Sequence, residues 1–200
     1  LCQNGMGKNK SDLQLIFNSI WKELSLGAVK RKHPFHVCFL STVSTLATPE
    51  SRIVILREVN SKNFTLRSNC DLRSSKSNEV KSNPNTSLLF YDSENKIQIR
   101  IKSKSEIIDK RDLIQPIWDA SQEISKRCYY APQVPSSTLE EPFSNDLLDL
   151  DDKELGINIF GLIVSRAYEV DYLSLNYNGH KRCRFIIENE KVVSSSWVAP

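Results

Sequence analysis

The sequence predicts a mainly β fold, an antiparallel barrel with one helix in front and a helical segment inserted. Three observations predict it. Ile97, Ile99 and Ile101 alternate with Gln98, Arg100 and Lys102, the period-two signature of a half-buried strand. Asn178-Gly179 lies between two strand-like runs and marks a tight hairpin, because both residues tolerate positive φ. The strand-like segments follow one another without βαβ alternation, which favours a barrel over a doubly wound sheet.

Taken in order, residues 11–28 read as a helix: Leu13, Ile16, Phe17, Ile20 and Leu24 recur at helical spacing and Trp21 joins that face. Ser11 or Asp12 can cap its start and Gly27 loosens its end. Lys30-Arg-Lys-His33 is a basic link, with His33 and His36 as plain surface residues. Val37–Val43 is a strand, residues 44–51 a turn around Pro49, and Arg52–Val59 the next strand. A turn at Asn60–Asn63 leads to a strand at Phe64–Arg67, and residues 74–82 suit a short helix stopped by Asn83-Pro84. Ser87–Tyr91 reads as a buried strand. A helical region over Lys110–Arg127 is interrupted at Pro116. Residues 131–156, with three prolines and an acidic cluster, read as a loop insertion with one helical turn at Asn145–Leu150. Ile157–Val170 returns to strand, Tyr172–Tyr177 and Lys181–Ile187 pair across the hairpin, and Val192–Val198 closes the chain. The whole, residues 1–200, reads as one domain, with 1–36 as leading helix and basic link and 131–156 as the insertion.

A chain of 200 residues can fill one sizeable core, and 40% apolar with 26% charged residues is an ordinary soluble composition. No apolar run approaches the roughly 18 residues of a membrane span, and no secretory signal is recognisable. A net charge of +3 argues against nucleic acid as the main partner. Residues 140–154 hold seven acids and one base, which leaves 26 bases against 17 acids elsewhere. A basic body with an acidic loop suits a small anionic ligand; it equally suits a solvated loop. Five scattered cysteines without C-x-x-C fit free thiols in a reducing cytoplasm, and they form no metal site with the three histidines.

The chemistry-bearing residues gather between positions 52 and 100. Arg52-Ile-Val-Ile-Leu-Arg57 is a strand with an arginine at each end. A polar turn with two cations, Asp71-Leu-Arg73-Ser74-Ser75-Lys76, comes next, and Gln98 and Arg100 follow on a later strand. Together they suit a phosphorylated planar cofactor. Arg52, Arg73 and Lys76, with the Ser74 and Ser75 hydroxyls, can neutralise a phosphate dianion, and Lys76 sits near a helix start whose N–H groups favour anions. Ile53, Val54 and Ile55 offer an apolar edge with backbone groups for a flat ring. The Gln98 amide can serve alternating ring donors and acceptors.

This order and spacing resemble the FMN site of the pyridoxamine 5'-phosphate oxidase family, the FMN-binding split barrels. Lys126-Arg-Cys-Tyr-Tyr-Ala-Pro132, Asn178-Gly-His-Lys-Arg182 and Trp197-Val-Ala-Pro200 extend the resemblance over nearly the whole chain, as a short, oxidase-like branch. The resemblance implies an antiparallel split barrel, FMN as cofactor, and a homodimer with FMN in the cleft between subunits. It also implies FMN roles for Arg52, Arg57, Lys76 and Gln98, with Arg182 reaching in from the hairpin. His180 and Arg57 are the candidate catalytic residues: His180 to orient substrate or exchange a proton, Arg57 to favour the reduced flavin. The sequence also departs from the family. The hairpin pattern R-x-H-x-R reads Asn178-Gly-His180-Lys-Arg182, so the first arginine, a substrate cation, is absent. Arg57 stands where a lysine is expected, and Trp118, Gln122 and Arg127 are weak stand-ins for the substrate-phosphate set. The implied activity is FMN-dependent hydride transfer from a small substrate, with a B6 vitamer as a candidate. The alternative is a flavin carrier, sensor or reductase without pyridoxamine phosphate turnover. Haem binding has only His33, His36 and His180 for axial ligands.

Overall fold

The computed structural model describes residues 3–142 and 153–200; the helical turn expected at Asn145–Leu150 lies outside them. The chain opens with α1 (Gln3–Val29), which starts well before residue 11. Leu13, Phe17, Ile20, Trp21 and Leu24 are buried along one face, as their spacing predicted. Gly27 does more than loosen the helix end. A Cβ there would lie 2.7 Å from the Phe35 carbonyl oxygen, so glycine lets the 3-10 turn Pro34–His36 cross the helix at backbone contact. His33 and His36 fasten this crossing rather than simply facing solvent. His36 Nδ1 bonds the Gly27 carbonyl at 2.8 Å. His33 Nδ1 accepts the Phe35 N–H at 3.1 Å, so its Nε2 carries the proton toward Glu23 at 3.0 Å.

The described elements continue as β1 (Val37–Val43), β2 (Pro49–Ile55), β3 (Glu58–Asn60), β4 (Thr65–Asp71), α2 (Ser75–Ser82), β5 (Asn85–Asp92), β6 (Ile97–Ile108), α3 (Arg111–Asp119), α4 (Glu123–Lys126), α5 (Lys153–Ile159), β7 (Phe160–Ser174), β8 (Lys181–Glu188) and β9 (Lys191–Trp197). The expected strand Arg52–Val59 is two strands. The Leu56 amide bonds the His36 carbonyl and the next amide, of Arg57, bonds the Arg67 carbonyl, so the chain leaves β1 there and joins β4. Pro49 opens β2 instead of turning, which an edge strand tolerates. Pro116 lies inside α3, and the helical region breaks at residues 120–122 instead. Residues 157–159, expected as strand, are helical and lead into β7.

All pairings are antiparallel, in the order β2-β1-β5-β6-β7-β4-β3, with β8 on β7 and β9 on β8. The 15-residue β7 explains the fork. One edge runs along β6; the other pairs with β4 over Phe160–Arg166 and with β8 over Glu169–Ser174. The curled sheet therefore splits, and α1 fills its mouth: the Phe17 ring lies 4.9 Å from Phe185 and 5.4 Å from Phe64, centroid to centroid. A second cluster, built on Trp118, Tyr130, Ile157 and Phe160, packs α3 and α5 against the start of β7.

Strand alternation divides the sheet into two faces. One cross-strand row, Arg52–Leu40–Leu88–Ile101–Val170–Phe185, points inward to the core. The adjacent row, Ile53–Phe39–Leu89–Arg100–Asp171–Arg184, points outward. Ile53 and Phe39 on that outer row remain 60% and 46% exposed.

The Gly27 contact yields a test. Gly27→Ala raises helix propensity by about 1 kcal/mol, yet the backbone clash with Phe35 should give a net loss of roughly 1–3 kcal/mol. Urea unfolding would read this as a lower midpoint at unchanged slope.

Candidate cofactor site

The β4–α2 turn builds an anion cradle. Ser74 precedes α2 in extended conformation, the position of a helix cap, yet its side chain makes no cap bond. Its hydroxyl instead donates to the Asp71 carbonyl at 2.6 Å and accepts from Lys76 Nζ at 3.1 Å. The first turn of α2 holds no acidic residue. Its leading amides are thus left without the side-chain acceptor that usually caps a helix. Ser77, wholly buried, has a hydroxyl with no hydrogen-bond partner. Burial, followed by the positive charge of Arg52, holds the half-buried Lys76 ammonium below its ordinary pKa, despite the opposing influence of Cys70, Asp71 and Glu79. Donors without acceptors and a cation short of anions fit a phosphate group.

Arg52 approaches the same place from β2. Its Nη2 bonds Glu79 Oε2 on α2 at 2.8 Å and its Nη1 bonds Thr42 Oγ1. Thr42 also donates to Glu79 Oε2 at 2.5 Å. Glu79 is only 7% exposed, so the arginine compensates a buried carboxylate and is oriented by it. Neither Thr42 nor Glu79 was singled out from sequence. Glu79 could have been, because it follows Lys76 by three residues and so shares its helix face.

Arg73, expected among the phosphate cations, is engaged elsewhere. It forks onto Asp71 at 2.7 and 3.1 Å and donates to the Ala131 and Pro132 carbonyls at 3.0 Å each. It ties the long loop to β4. Of the apolar edge, Ile53 and Ile55 turn outward and Val54 is buried inward, 7% exposed. Arg57 is exposed just past β2.

Gln98 and Arg182 come together on the outer face, through the register Gln98↔Leu173↔Arg182 across β6, β7 and β8. Arg182 grips Asp171 through Nε to Oδ1 at 3.1 Å and Nη2 to Oδ2 at 3.0 Å, and Arg100 Nη2 reaches Oδ2 at 3.2 Å. Burial alone would raise the Asp171 carboxyl, but the Arg182 bond and the charges of Arg182 and Arg100 outweigh it and hold the group below the usual carboxylate range. Asp171 was missed from sequence. His180 is exposed just past the Asn178-Gly179 turn, where Gly179 takes φ +130°. Of the substrate stand-ins, Trp118 is a core residue, 5% exposed, while Gln122 and Arg127 are exposed.

The structure therefore assembles two groups: Arg52, Ser74, Lys76 and Ser77 around the start of α2, and Gln98, Arg100 and Arg182 on the outer sheet face. A groove of about 600 Å³ beside α1, lined by Phe17, Trp21 and Phe64 among others, shares no residue with either. Among the described residues, no three His, Cys, Asp or Glu side chains are grouped to hold a metal, and no helix is long and apolar enough to cross a membrane. Burial pushes the Cys38, Cys70 and Cys183 thiols up to about 12, away from reactive thiolates.

Residues 18–109 match the sequence model of the family described as "Pyridoxamine 5'-phosphate oxidase, FMN-binding domain". A pyridoxine/pyridoxamine 5'-phosphate oxidase 2 from Arabidopsis thaliana is 29% identical over 168 residues, covering 79% of this chain and 84% of that protein. A pyridoxine/pyridoxamine 5'-phosphate oxidase from Burkholderia mallei is 29% identical over 117 residues, 58% of this chain and 51% of its own length. Among solved structures, a pyridoxamine 5'-phosphate oxidase-related, FMN-binding protein from Nostoc punctiforme superposes with a TM-score of 0.72 at 19% identity, over 92% of this chain and 96% of that one. PhzG from Burkholderia lata, solved with tetrahydrophenazine-1-carboxylic acid, gives 0.70 at 15% identity over 92% and 91%. At these identities the two structures show the fold. Residues 18–109 thus resemble the FMN-binding domain of the pyridoxamine 5'-phosphate oxidase family, the fold is an antiparallel split barrel like that of the Nostoc protein, and the cofactor this likeness indicates is FMN.

Proposed function

We propose that the protein is an FMN-dependent oxidoreductase acting on a small substrate, and that it works as a homodimer. The carrying observation is the cradle at the start of α2, where a buried Ser77 hydroxyl, uncapped amides and Lys76 all lack an anion. Lys76 and Arg52 would hold the FMN phosphate, with Ser74 and Ser77 as hydroxyl donors. Bound FMN would supply the two-electron acceptor for substrate oxidation. Arg57 and His180, both exposed, would meet substrate rather than phosphate.

The two faces support the dimer reading. The cradle opens beside the inward-pointing Arg52, whereas Gln98 and Arg182 point outward. One chain does not close both around one ligand; a second copy, packed against the exposed Val37, Phe39, Ile53 and Tyr91, can bring its outer face to the first copy's cradle. The Arabidopsis and Burkholderia relatives suggest pyridoxamine or pyridoxine 5'-phosphate as substrate. A second reading, flavin binding without that turnover, is favoured by one feature: Asn178 stands in the turn where the family pattern carries a substrate arginine.

Purified protein should be yellow and dimeric in light scattering. With pyridoxamine phosphate, oxygen and water, it should yield pyridoxal phosphate, ammonia and hydrogen peroxide in equal amounts. Flavin absorbance without these products would establish the second reading, and absence of flavin binding would defeat both.

Two variants separate the cradle's parts. Lys76→Ala should weaken FMN about ten- to hundredfold, the loss of one charge-assisted phosphate contact, with an unchanged melting temperature. Arg52→Ala should also weaken FMN, but at a cost of about 3 kcal/mol in stability, because Glu79 is left buried without its partner. Fluorescence titration beside thermal melts distinguishes them.

Lys76 also gives a pH dependence. Its pKa is lowered, so the free protein loses this charge at a lower pH than an exposed lysine would. FMN affinity should be flat while Lys76 is protonated and fall as alkaline pH removes the proton. Lys76→Arg, which stays charged, should abolish that fall; a retained slope would exclude Lys76 as its source.

A further inference from the structure

The outer face contains a carboxylate that the cofactor reading does not use. Asp171 is 1% exposed near the C-terminal end of β7, flanked in register by Arg100 on β6 and Arg184 on β8, with Arg182 two positions away. Both its oxygens are occupied: Oδ1 by Arg182 Nε, Oδ2 by Arg182 Nη2 and Arg100 Nη2, with Arg184 Nη2 at 3.9 Å. Burying a carboxylate is costly, and an apolar residue of similar size would often leave a sheet equally stable. Two guanidiniums, Arg100 and Arg182, bond this one carboxylate and leave a surplus of one positive charge, while Arg184 lies nearer Glu169 Oε1, at 3.7 Å. The arrangement is thus a poor device for stability and a good one for aiming cations. A guanidinium is a rigid planar fork, so two bonds from Arg182 fix the direction of its remaining donors. That leaves Arg182 Nη1, 3.4 Å from the Ala199 carbonyl, beside Gln98 on the surface that faces outward.

We propose that Asp171 is a positioning residue of the cofactor site: it locks Arg182 and Arg100 into one orientation on the outer face, so that they present preset cations to a flavin held by the cradle of the second copy. The inference rests on the dimeric FMN reading and deepens it. Asp171 touches neither cofactor nor substrate; it acts through the arginines, and the fork onto Arg182 is its principal grip. Without it the two like charges repel one another and the arginine side chains regain their rotamer freedom, which must be lost again on binding.

The test is a double-mutant cycle on FMN affinity, read by quenching of flavin fluorescence, with circular dichroism of the bound flavin as a second signal. Asp171→Asn keeps the shape and removes the charge; it should weaken FMN tenfold or more and alter the flavin dichroism. Arg182→Ala should weaken FMN at least as much. The loss in the double variant should fall well short of the product of the two single losses, because Asp171 then has only Arg100 left to aim. Wild-type affinity in Asp171→Asn, or losses that multiply in the double variant, would overturn the proposal by showing a purely structural role. Should Asp171→Asn fail to fold, Asp171→Glu retains the charge and shifts the carboxylate by one methylene. Several-fold weaker FMN at wild-type dichroism of the far-ultraviolet backbone bands supports positioning, and unchanged affinity overturns it. Wild-type protein that does not bind FMN would defeat the cofactor reading itself, and this inference with it.

Discussion

Strand alternation across β2, β1, β5, β6, β7 and β8 is the constraint on which the rest of this molecule depends. Because side chains change face at every residue, the neighbours Arg52 and Ile53 serve opposite sides of one sheet. Arg52 turns in, beneath α2, where it meets Glu79 and Thr42. Ile53 turns out and remains in solvent beside Phe39. A one-residue slip in any of these pairings would exchange the roles of every side chain along that strand. The register is held from the core side: Leu40, Leu88, Ile101, Val170 and Phe185 are all almost fully buried. The core therefore fixes the site, although no core residue belongs to it.

Two buried carboxylates do similar work on opposite faces. Glu79 orients Arg52 within the cradle and Asp171 orients Arg182 and Arg100 on the outer sheet. In each case an arginine that sequence reading assigns to the cofactor is held in the free chain by an acid. This is consistent with preorganisation: the cation is aimed before the ligand arrives, and the ligand does not have to order a loose side chain. Lys76 differs. Among the described residues its ammonium bonds only the Ser74 hydroxyl, and it sits partly desolvated. It gains the most from an arriving anion, which makes it the sharper probe of phosphate binding.

Much of the fold was legible because it rests on local signals. The alternation of Ile97–Lys102, the Asn178-Gly179 turn and the apolar stripe of α1 each state their geometry in a few residues. What failed was tertiary. Leu56 and Arg57 look like continuous strand, yet one amide is drawn to His36 and the next to Arg67, a switch between sheet neighbours that only the assembled barrel imposes. Gly27 looks like a helix end and is a crossing point. At the candidate site, the family resemblance implies roles for Arg52, Lys76, Gln98 and Arg182, and the structure gathers them into two groups. Arg73 misled because its local setting, a cation in a polar turn, is the same whether it meets a phosphate or the carbonyls of residues 131 and 132. Asp171 gave no signal, since one acid in a strand is unremarkable until its three arginine neighbours are known.

The two halves of the site differ in how firmly the chain builds them. The proposed phosphate end would use buried hydroxyls, helix amides and paired charges on β2, β4 and α2, all within the segment 18–109 that matches the family model. The end that would meet substrate is exposed: His180 follows a turn whose Gly179 has open space where a side chain would stand, and Arg57 sits between strands. With Asn178 in place of an arginine, that end offers one fewer cation to a substrate phosphate. An arginine that compensates a buried carboxylate, as Arg52 does Glu79, is hard to change without loss of stability, whereas an exposed turn can be rewritten freely. A cradle kept inside the fold and a substrate edge left on loops is therefore the arrangement by which one barrel can retain its flavin while its substrate changes.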